Sequence, residues 1–207
     1  MKYTDIIFDV DGTLSNTLKA LVESWKSILL DITGKTFPDK VLSECMGMSG
    51  DDIFRKFGIY DRLDHYSRIW SGIFKELLTD VRPYDGITET LQSLEEKGYR
   101  LGIITSRHRS DYEEYRDLDS IKRYFTTVIT VEDSARPKPN ADPVHAYAEK
   151  TGASLDRIIY IGDAVFDYEC AMNAGVDFGL ALWGAQSPEK IGAAIRLSHP
   201  SEILDIV

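Results

Sequence analysis

Short apolar runs rich in β-branched residues recur along the chain and predict buried strands, because a strand covered on both faces has apolar side chains on each. Helical periodicity follows or precedes most of these runs. Apolar strands that alternate with helices predict an α/β fold, a Rossmann-like parallel sheet flanked by helices. The predicted strands are 6–10, 101–104, 127–131 and 158–161, with a weaker fifth over 176–180, and the predicted helices between them are 87–97, 143–151 and 166–174.

One interval, from Thr17 to about Val81, shows only helical periodicity, interrupted by glycines and a proline that are typical of turns. It predicts an all-helical domain of residues 16–81 inserted after the first strand, so that residues 1–15 and 82–207 form the sheet domain. The aromatic stripe of this insert is predicted to be its interior. Farther along, residues 111–123 mix acids, bases and tyrosines, a pattern that predicts an exposed amphipathic helix.

The charge balance narrows the possible partners. The 207 residues include 24 basic and 34 acidic side chains, a formal net charge of −10. Such a surface disfavours nucleic acids and anionic membranes, whereas a local cation still permits a small phosphorylated ligand. No apolar run has membrane-spanning length, and no secretory segment is recognisable. We therefore expect a cytoplasmic protein, a monomer or weak homodimer, in which Cys45 and Cys170 are free thiols.

Two aspartates, Asp9 and Asp11, end the first predicted strand and precede Gly12 and Thr13. Side chains two residues apart in a strand lie on one face, so both carboxylates are predicted to point beyond the sheet edge where open α/β sheets bind ligands. Two close carboxylates repel each other, and they either bind a metal or divide into charged and protonated roles. Gly12 permits a close approach of a ligand to the backbone, and Thr13 offers a hydroxyl to orient Asp9.

This Asp-x-Asp-Gly-Thr motif resembles the first signature of the haloacid dehalogenase superfamily of phosphotransferases. Three further elements resemble the family's pattern in the expected order: a strand that ends at Thr105 and Ser106, Lys138 before a crossover helix, and the pair Asp163 and Asp167 after the fourth strand. The resemblance covers essentially the whole chain. It is close to the subgroup with a helical cap, which includes phosphoglycolate phosphatases, and the helical insert of residues 16–81 corresponds to that cap.

The resemblance implies a catalytic set of four residues. Asp9 is the expected nucleophile, which forms an aspartyl-phosphate, and Asp11 is the expected general acid and base. Thr105 is expected to hold a phosphoryl oxygen, and Lys138 to balance the charge of the phosphate and of Asp9. Contacts with the phosphate or the rest of the substrate are expected from Gly12, Thr13, Ser106, Arg107 and His108.

A magnesium ion is the cofactor that the resemblance implies. Its expected ligands are the Asp9 carboxylate, the main-chain carbonyl of Asp11 and Asp163, because Mg²⁺ takes hard oxygen ligands. Asp167, one helical turn after Asp163, is expected to hold a metal-bound water or Lys138 rather than the ion. Cations of the cap are candidates to meet an anionic end of the substrate: Arg55, Lys56, Arg62 and Arg68.

The expected reaction is the hydrolysis of a small phosphorylated metabolite, with phosphoglycolate as the first choice. Two alternatives stay open. A phosphomutase acting on a sugar phosphate uses the same nucleophile and acid, and the motifs do not separate it from a phosphatase. A non-enzymatic switch that stores a phosphoryl group on aspartate is disfavoured, because storage has no use for Asp11 and because receiver-like modules lack a helical insertion after the first strand.

Overall fold

Six strands form a single sheet in the computed structural model, which describes residues 2–207. The strands are β1 (Asp5–Phe8), β2 (Arg100–Ile104), β3 (Thr127–Ile129), β4 (Ile158–Gly162), β5 (Asp177–Ala181) and β6 (Ile195–Leu197). Their order across the sheet is β3-β2-β1-β4-β5-β6, and every neighbouring pair is parallel. The predicted parallel α/β architecture is confirmed. Strand β6 was not predicted, since its three residues contain a central arginine and form no apolar run.

Nine α-helices lie in the described part of the chain. They are α1 (Leu18–Thr33), α2 (Asp39–Ser43), α3 (Gly50–Lys56), α4 (Leu63–Leu77), α5 (Ile87–Glu96), α6 (Arg109–Glu114), α7 (Asp142–Thr151), α8 (Val165–Ala174) and α9 (Ile203–Ile206). The first four follow β1 directly, as the helical periodicity predicted. None of the helices in residues 2–207 combines the length and the apolar character needed to cross a membrane.

Strand β1 lies at the centre of the sheet, and its three residues after Asp5 are all apolar. Ile6 and Phe8 are fully buried on one face of the sheet, in a cluster that includes Leu91 of α5. Ile7 is fully buried on the other face, in a cluster that includes Val144 of α7. Burying such a side chain contributes about 1.5–3 kcal/mol. A strand in contact with helices on both faces therefore needs no polar position.

The helical insert has its own apolar interior, and its aromatic rings form a continuous stack. Trp70 lies between Trp25, at a centroid distance of 4.8 Å, and Phe74, at 4.9 Å. Helix α1 ends at Gly34, whose φ of 69° suits glycine and whose N–H donates to the carbonyl of Leu30. The stack places large rings from α1 and α4 above the carboxyl ends of the strands, next to the site described below.

The prediction of an exposed amphipathic helix over residues 111–123 is wrong. Helix α6 ends at Glu114, and the chain continues through Tyr115, Asp117 and Leu118, which are all buried. Tyr115 packs edge-on against Phe74 of the insert, with a centroid distance of 5.6 Å. The alternating charges suggested an exposed helix, although this segment fills the space between the sheet domain and the insert.

The carboxyl ends of the parallel strands define one edge of the sheet, because all six strands run in the same direction. Strand β1 ends at Phe8, two residues earlier than predicted, and Asp9 follows directly. Strands β2 and β4 end immediately before Thr105 and Asp163. Strands β2, β1 and β4 are adjacent at the centre of the sheet, so their three carboxyl ends are neighbours. The polar residues that the sequence places after the strands therefore meet at one place.

Candidate active site

Four buried polar side chains meet at this edge of the sheet. Asp9 is 3% exposed, Thr105 3%, Asp163 2% and Lys138 2%. The backbone N–H of Asp9 donates to the carbonyl of Ile161 in β4, which continues the sheet hydrogen bonding one residue beyond β1. Isolated buried charges are costly, so this cluster requires internal pairing.

Lys138 supplies that pairing. Its Nζ donates to Oδ1 of Asp9 at 2.6 Å and to Oδ1 of Asp167 at 2.7 Å. The hydroxyl of Tyr160 donates to the same oxygen of Asp167 at 2.8 Å, and Oδ2 of Asp167 accepts from the backbone N–H of Ala164. Both oxygens of Asp167 are thus engaged with this chain. Tyr160 was not predicted as a site residue, although a buried tyrosine hydroxyl needs a partner and this residue lies in a predicted buried strand.

The cluster holds more negative than positive charge. Carboxylate oxygens of Asp9, Asp163 and Asp167 lie within 4.8 Å of one another, and Lys138 forms ion pairs with Asp9 and Asp167. Burial raises the pKa of Asp9 to about 7, with a further contribution from Asp167 and an opposing one from Lys138. Burial and the nearby Asp9 likewise raise the pKa of Asp163. A hard cation with oxygen ligands fits this donor set, because it would compensate the charge.

The turn after β1 shapes the site around Asp163. The hydroxyl of Thr13 donates to Oδ1 of Asp163 at 2.7 Å, so it orients Asp163. The sequence had suggested that it would orient Asp9. Gly12 has a φ of 95°, and a Cβ there would lie 2.3 Å from Oδ2 of Asp163. The backbone N–H groups of Gly12 and Thr13 donate to Ser15 and Val10 within the turn. Both residues therefore contribute shape and orientation through Asp163.

A second charged group lies beside the first. Nε and Nη2 of Arg107 donate to the two carboxylate oxygens of Asp11, at 2.9 and 2.7 Å. Nη1 and Nη2 of the same side chain donate to Asp117, at 3.0 and 2.7 Å. Arg107 is 6% exposed and Asp117 1%. Although burial opposes the shift, the attraction of Arg107 lowers the pKa of Asp117. Asp117 was not predicted, because its segment was interpreted as an exposed helix.

Asp9 and Asp11 line a common cavity of about 50 Å³ between the sheet domain and the helical insert. We call it the inner cavity. The strand argument that placed the two carboxylates together does not apply, since β1 ends before both, yet they reach the same space. The sheet domain contributes Ser106, Arg107 and Asp111 among its walls, and the insert contributes apolar side chains, of which half are aromatic. The apolar wall residues of the insert are Leu21, Trp25, Met48, Ile53, Trp70 and Phe74.

A neighbouring outer cavity of about 400 Å³ shares Ser67, His108 and Asp111 with the inner one. His108, which was expected to contact the substrate, lies at both cavities and pairs with Glu132 at 2.7 Å. Arg68 lines the outer cavity only.

The three other cations suggested in the insert do not line the inner cavity. Arg55 is exposed and pairs with Asp51 and Asp52. Arg62 is exposed and lies over the ring of Tyr66. Lys56 borders a separate cavity beside Asp163. The structure thus keeps these candidates away from the space between Asp9 and the insert.

Hydrogen bonds join the insert to the sheet domain around these cavities. The hydroxyl of Ser106 donates to the carbonyl of Gly47 at 2.8 Å, and that of Ser71 donates to Asp111 at 2.5 Å. The hydroxyls of Ser71 and Tyr115 are also within hydrogen-bond distance, at 2.9 Å. The insert therefore covers the site in this structure.

Comparisons with known proteins agree with this architecture. A family model described as haloacid dehalogenase-like hydrolase matches residues 6–181. The chain is 26% identical to pyrophosphatase PpaX of Halalkalibacterium halodurans over 213 residues, which covers 100% of this chain and 98% of the relative. A solved structure from Lactobacillus plantarum, provisionally named phosphoglycolate phosphatase, is 28% identical with a TM-score of 0.86 and full coverage of both chains. A hydrolase from Pseudomonas syringae is 25% identical, with a TM-score of 0.85 and coverage of 98% and 96%.

Proposed function

The chain belongs to the haloacid dehalogenase-like hydrolase family and is a phosphatase, and we propose that it hydrolyses small phosphate monoesters with Mg²⁺ through an aspartyl-phosphate on Asp9. The observation that carries this proposal is the buried contact between Lys138 and Asp9 at the carboxyl end of β1. The residue arrangement supports a nucleophile that is desolvated, held in position and open to one small cavity.

In the proposed first step, a carboxylate oxygen of Asp9 attacks phosphorus and the bond from phosphorus to the leaving oxygen breaks. Asp11 donates a proton to that oxygen. In the second step Asp11 takes a proton from water, whose oxygen attacks phosphorus, and inorganic phosphate leaves with Asp9 regenerated. Thr105 and the backbone N–H of Ser106, which follow β2, are proposed to donate to phosphoryl oxygens.

Lys138, which contacts Asp167 and Tyr160, is proposed to hold the carboxylate of Asp9 in position for attack. The ammonium fixes one oxygen of Asp9, which leaves the other to attack. Asp167 and Tyr160 hold Lys138 in turn, so its orientation does not depend on the substrate. The ammonium is also proposed to balance the negative charge that accumulates on the phosphoryl group.

Asp9, the main-chain carbonyl of Asp11 and Asp163 are the proposed ligands of Mg²⁺, and the ion would supply charge compensation for the phosphoryl oxygens. Thr13 supports this assignment, because its hydrogen bond fixes one oxygen of Asp163. Asp167 is proposed to act through Lys138, since its two oxygens already accept three hydrogen bonds from the chain.

We further infer that residues 16–81 act as a cap over a catalytic domain of residues 1–15 and 82–207. The hydrogen bond from Ser106 to Gly47 and the inner cavity between the two parts support this division. A cap in this position excludes water from the first step and contacts the leaving group.

Hydrolysis of p-nitrophenyl phosphate tests the proposal. We expect turnover with Mg²⁺, none after chelation, and none in Asp9→Asn, whose fold is checked by circular dichroism. A matched control is Asp61→Asn, an exposed position in the cap, which should keep full activity. Retention of more than a few per cent of activity in Asp9→Asn would exclude Asp9 as the nucleophile. Phosphoglycolate, the first choice from the resemblance, is tested in the same assay by release of phosphate.

A further inference from the structure

We propose that the alcohol released by this phosphatase is uncharged and largely apolar, and that it carries about one hydrogen-bonding group besides the ester oxygen. This inference rests on the proposed function and specifies its substrate class. The inner cavity is the space next to Asp9 that a leaving group would occupy, because Asp9 and Asp11 both line it. Its wall on the cap side consists mainly of aliphatic and aromatic side chains.

The cations of the inner cavity are already matched by acids. Among the described residues that line it, Arg107 and His108 are the basic ones. Arg107 makes four hydrogen bonds to Asp11 and Asp117, so its Nε, Nη1 and Nη2 are already engaged, and Asp117 matches its charge even when Asp11 is protonated. The ring of His108 pairs with Glu132. An anionic leaving group would lose its hydration here without gaining an uncommitted cation.

Acidic side chains make the surroundings still less favourable for an anion. Asp111 is buried at the wall shared by both cavities, where Ser71 donates to it. The outer cavity is also lined by Asp51, Asp64 and Glu114, and Arg68 is its one arginine or lysine among the described residues. Asp51 and Glu114 pair with Arg55 and Lys75, whereas Asp64 and Asp111 have no ion-pair partner among residues 2–207. A carboxylate or second phosphate that extends outward from the inner cavity would therefore approach the negative charges of Asp64 and Asp111.

Ser67 offers the hydrogen bond in the proposal. Its Oγ is buried and has no hydrogen-bond partner among residues 2–207, and the residue lines both cavities. A leaving group with one suitably placed polar atom would satisfy this hydroxyl, which is otherwise buried without a partner. The rings of Trp25 and Trp70 would contact the remaining apolar surface. A sugar phosphate, with several hydroxyls, would leave most of them unpaired against this wall.

Pairs of phosphate esters whose leaving groups have similar shapes and differ in charge test this inference. The first pair is phosphoglycolate and its neutral carboxamide, phosphoglycolamide; the second is 4-carboxyphenyl phosphate and 4-carbamoylphenyl phosphate. We expect kcat/KM with Mg²⁺ to be at least about tenfold higher for the neutral member of each pair, a difference of about 1.4 kcal/mol. Equal values, or a preference for the carboxylate, would overturn the inference and leave the phosphatase assignment intact. Turnover of none of the four esters would contradict the proposed function itself.

Met48 permits a test from the side of the protein. It lines the inner cavity and is partly buried, so Met48→Lys adds a cation on a flexible chain, and Met48→Gln is the uncharged control. We expect Met48→Lys to raise the ratio of carboxylate to carboxamide turnover about tenfold relative to Met48→Gln. An unchanged ratio would show that the leaving group does not occupy this cavity.

Ser67→Ala tests the single polar contact. It should lower kcat/KM for 4-carbamoylphenyl phosphate about tenfold and leave that for phenyl phosphate, which has no second polar group, within about twofold. A purely structural effect would lower both values equally and would remove Ser67 from the proposal.

Discussion

Arg107 joins Asp11 through two parallel hydrogen bonds, from Nε and Nη2 to the two carboxylate oxygens. The guanidinium is itself held by Asp117, a residue ten positions farther along the chain. A bidentate pair fixes both the position and the plane of a carboxylate. The proposed acid and base is therefore oriented by the segment after α6, which contributes no residue to the phosphoryl site.

Substitution of the proposed general acid should depend on the leaving group. Asp11→Asn cannot donate a proton, so kcat for phenyl phosphate should fall by about 10²–10⁴-fold. The loss should be smaller for p-nitrophenyl phosphate, whose leaving oxygen needs less protonation in the first step. Steady-state kinetics on a series of aryl phosphates checks this. Equal losses across the series would remove proton donation from the role of Asp11.

Loss of Asp163 should separate metal binding from the stability of the metal-free protein. In wild type, Mg²⁺ should raise the midpoint of thermal unfolding, because it compensates buried carboxylates. Asp163→Asn removes one of these charges, so the metal-free protein should be more stable near pH 8 and Mg²⁺ should have little effect. Differential scanning calorimetry with chelator and with Mg²⁺ measures both. The same shift in wild type and variant would contradict the assignment of Asp163 as a ligand.

Asp117 should stabilise the fold in a pH-dependent way. Its pKa is lowered in the folded state, where Arg107 attracts the carboxylate, so its contribution is present above the pKa of the unfolded chain, about 3.9, and is lost as the pH falls further. Asp117→Asn should lower the free energy of unfolding by about 2 kcal/mol at pH 7. The gap between the two proteins should close below about pH 4. Urea unfolding at several pH values checks this, and a gap that is constant from pH 7 to pH 3 would refute it.

Lys138 and Tyr160 contact the same carboxylate but should differ in importance. Lys138→Met leaves Asp9 and Asp167 without their cation, so the free energy of unfolding should fall by about 3–5 kcal/mol and activity should disappear. Tyr160→Phe removes one hydroxyl from Asp167 and keeps the ammonium, so kcat should fall less than about tenfold. Urea unfolding measures the free energy of unfolding, and kinetics on p-nitrophenyl phosphate measure kcat. Similar losses in the two variants would mean that Lys138 acts as a packing group.

The sequence was sufficient to predict that several candidate residues gather at one edge of the sheet, because the position of a polar residue after a parallel strand determines its place there. Asp9, Thr105 and Asp163 illustrate this, since each follows the last residue of its strand. Helical periodicity also gave the insert, because residues 16–81 contain no competing strand pattern. Both predictions depended on local patterns of apolar residues, because these patterns indicate most directly which side chains are buried.

What the sequence did not reveal depends on contacts between distant segments. The hydroxyl of Tyr160 meets Asp167 only after the chain passes from β4 into α8, and an apolar run gives no indication of it. Asp117 appeared to belong to an exposed helix because its neighbours are charged, whereas Arg107 draws it into the interior. The hydroxyl of Thr13 was expected to orient Asp9, and the turn directs it to Asp163 instead.

The contacts between the cap and the sheet domain have a consequence for the speed of the enzyme. With Asp9 only 3% exposed, a phosphate ester reaches it after the bonds from Ser106 to Gly47 and from Ser71 to Asp111 have opened. Each such bond contributes about 1 kcal/mol net, and domain motions of this kind typically occur on the microsecond to millisecond scale. Each catalytic cycle then includes one separation for entry and one for escape of phosphate. For reactive esters, we expect this movement of the proposed cap to limit the maximal rate, which should then decrease as solvent viscosity increases.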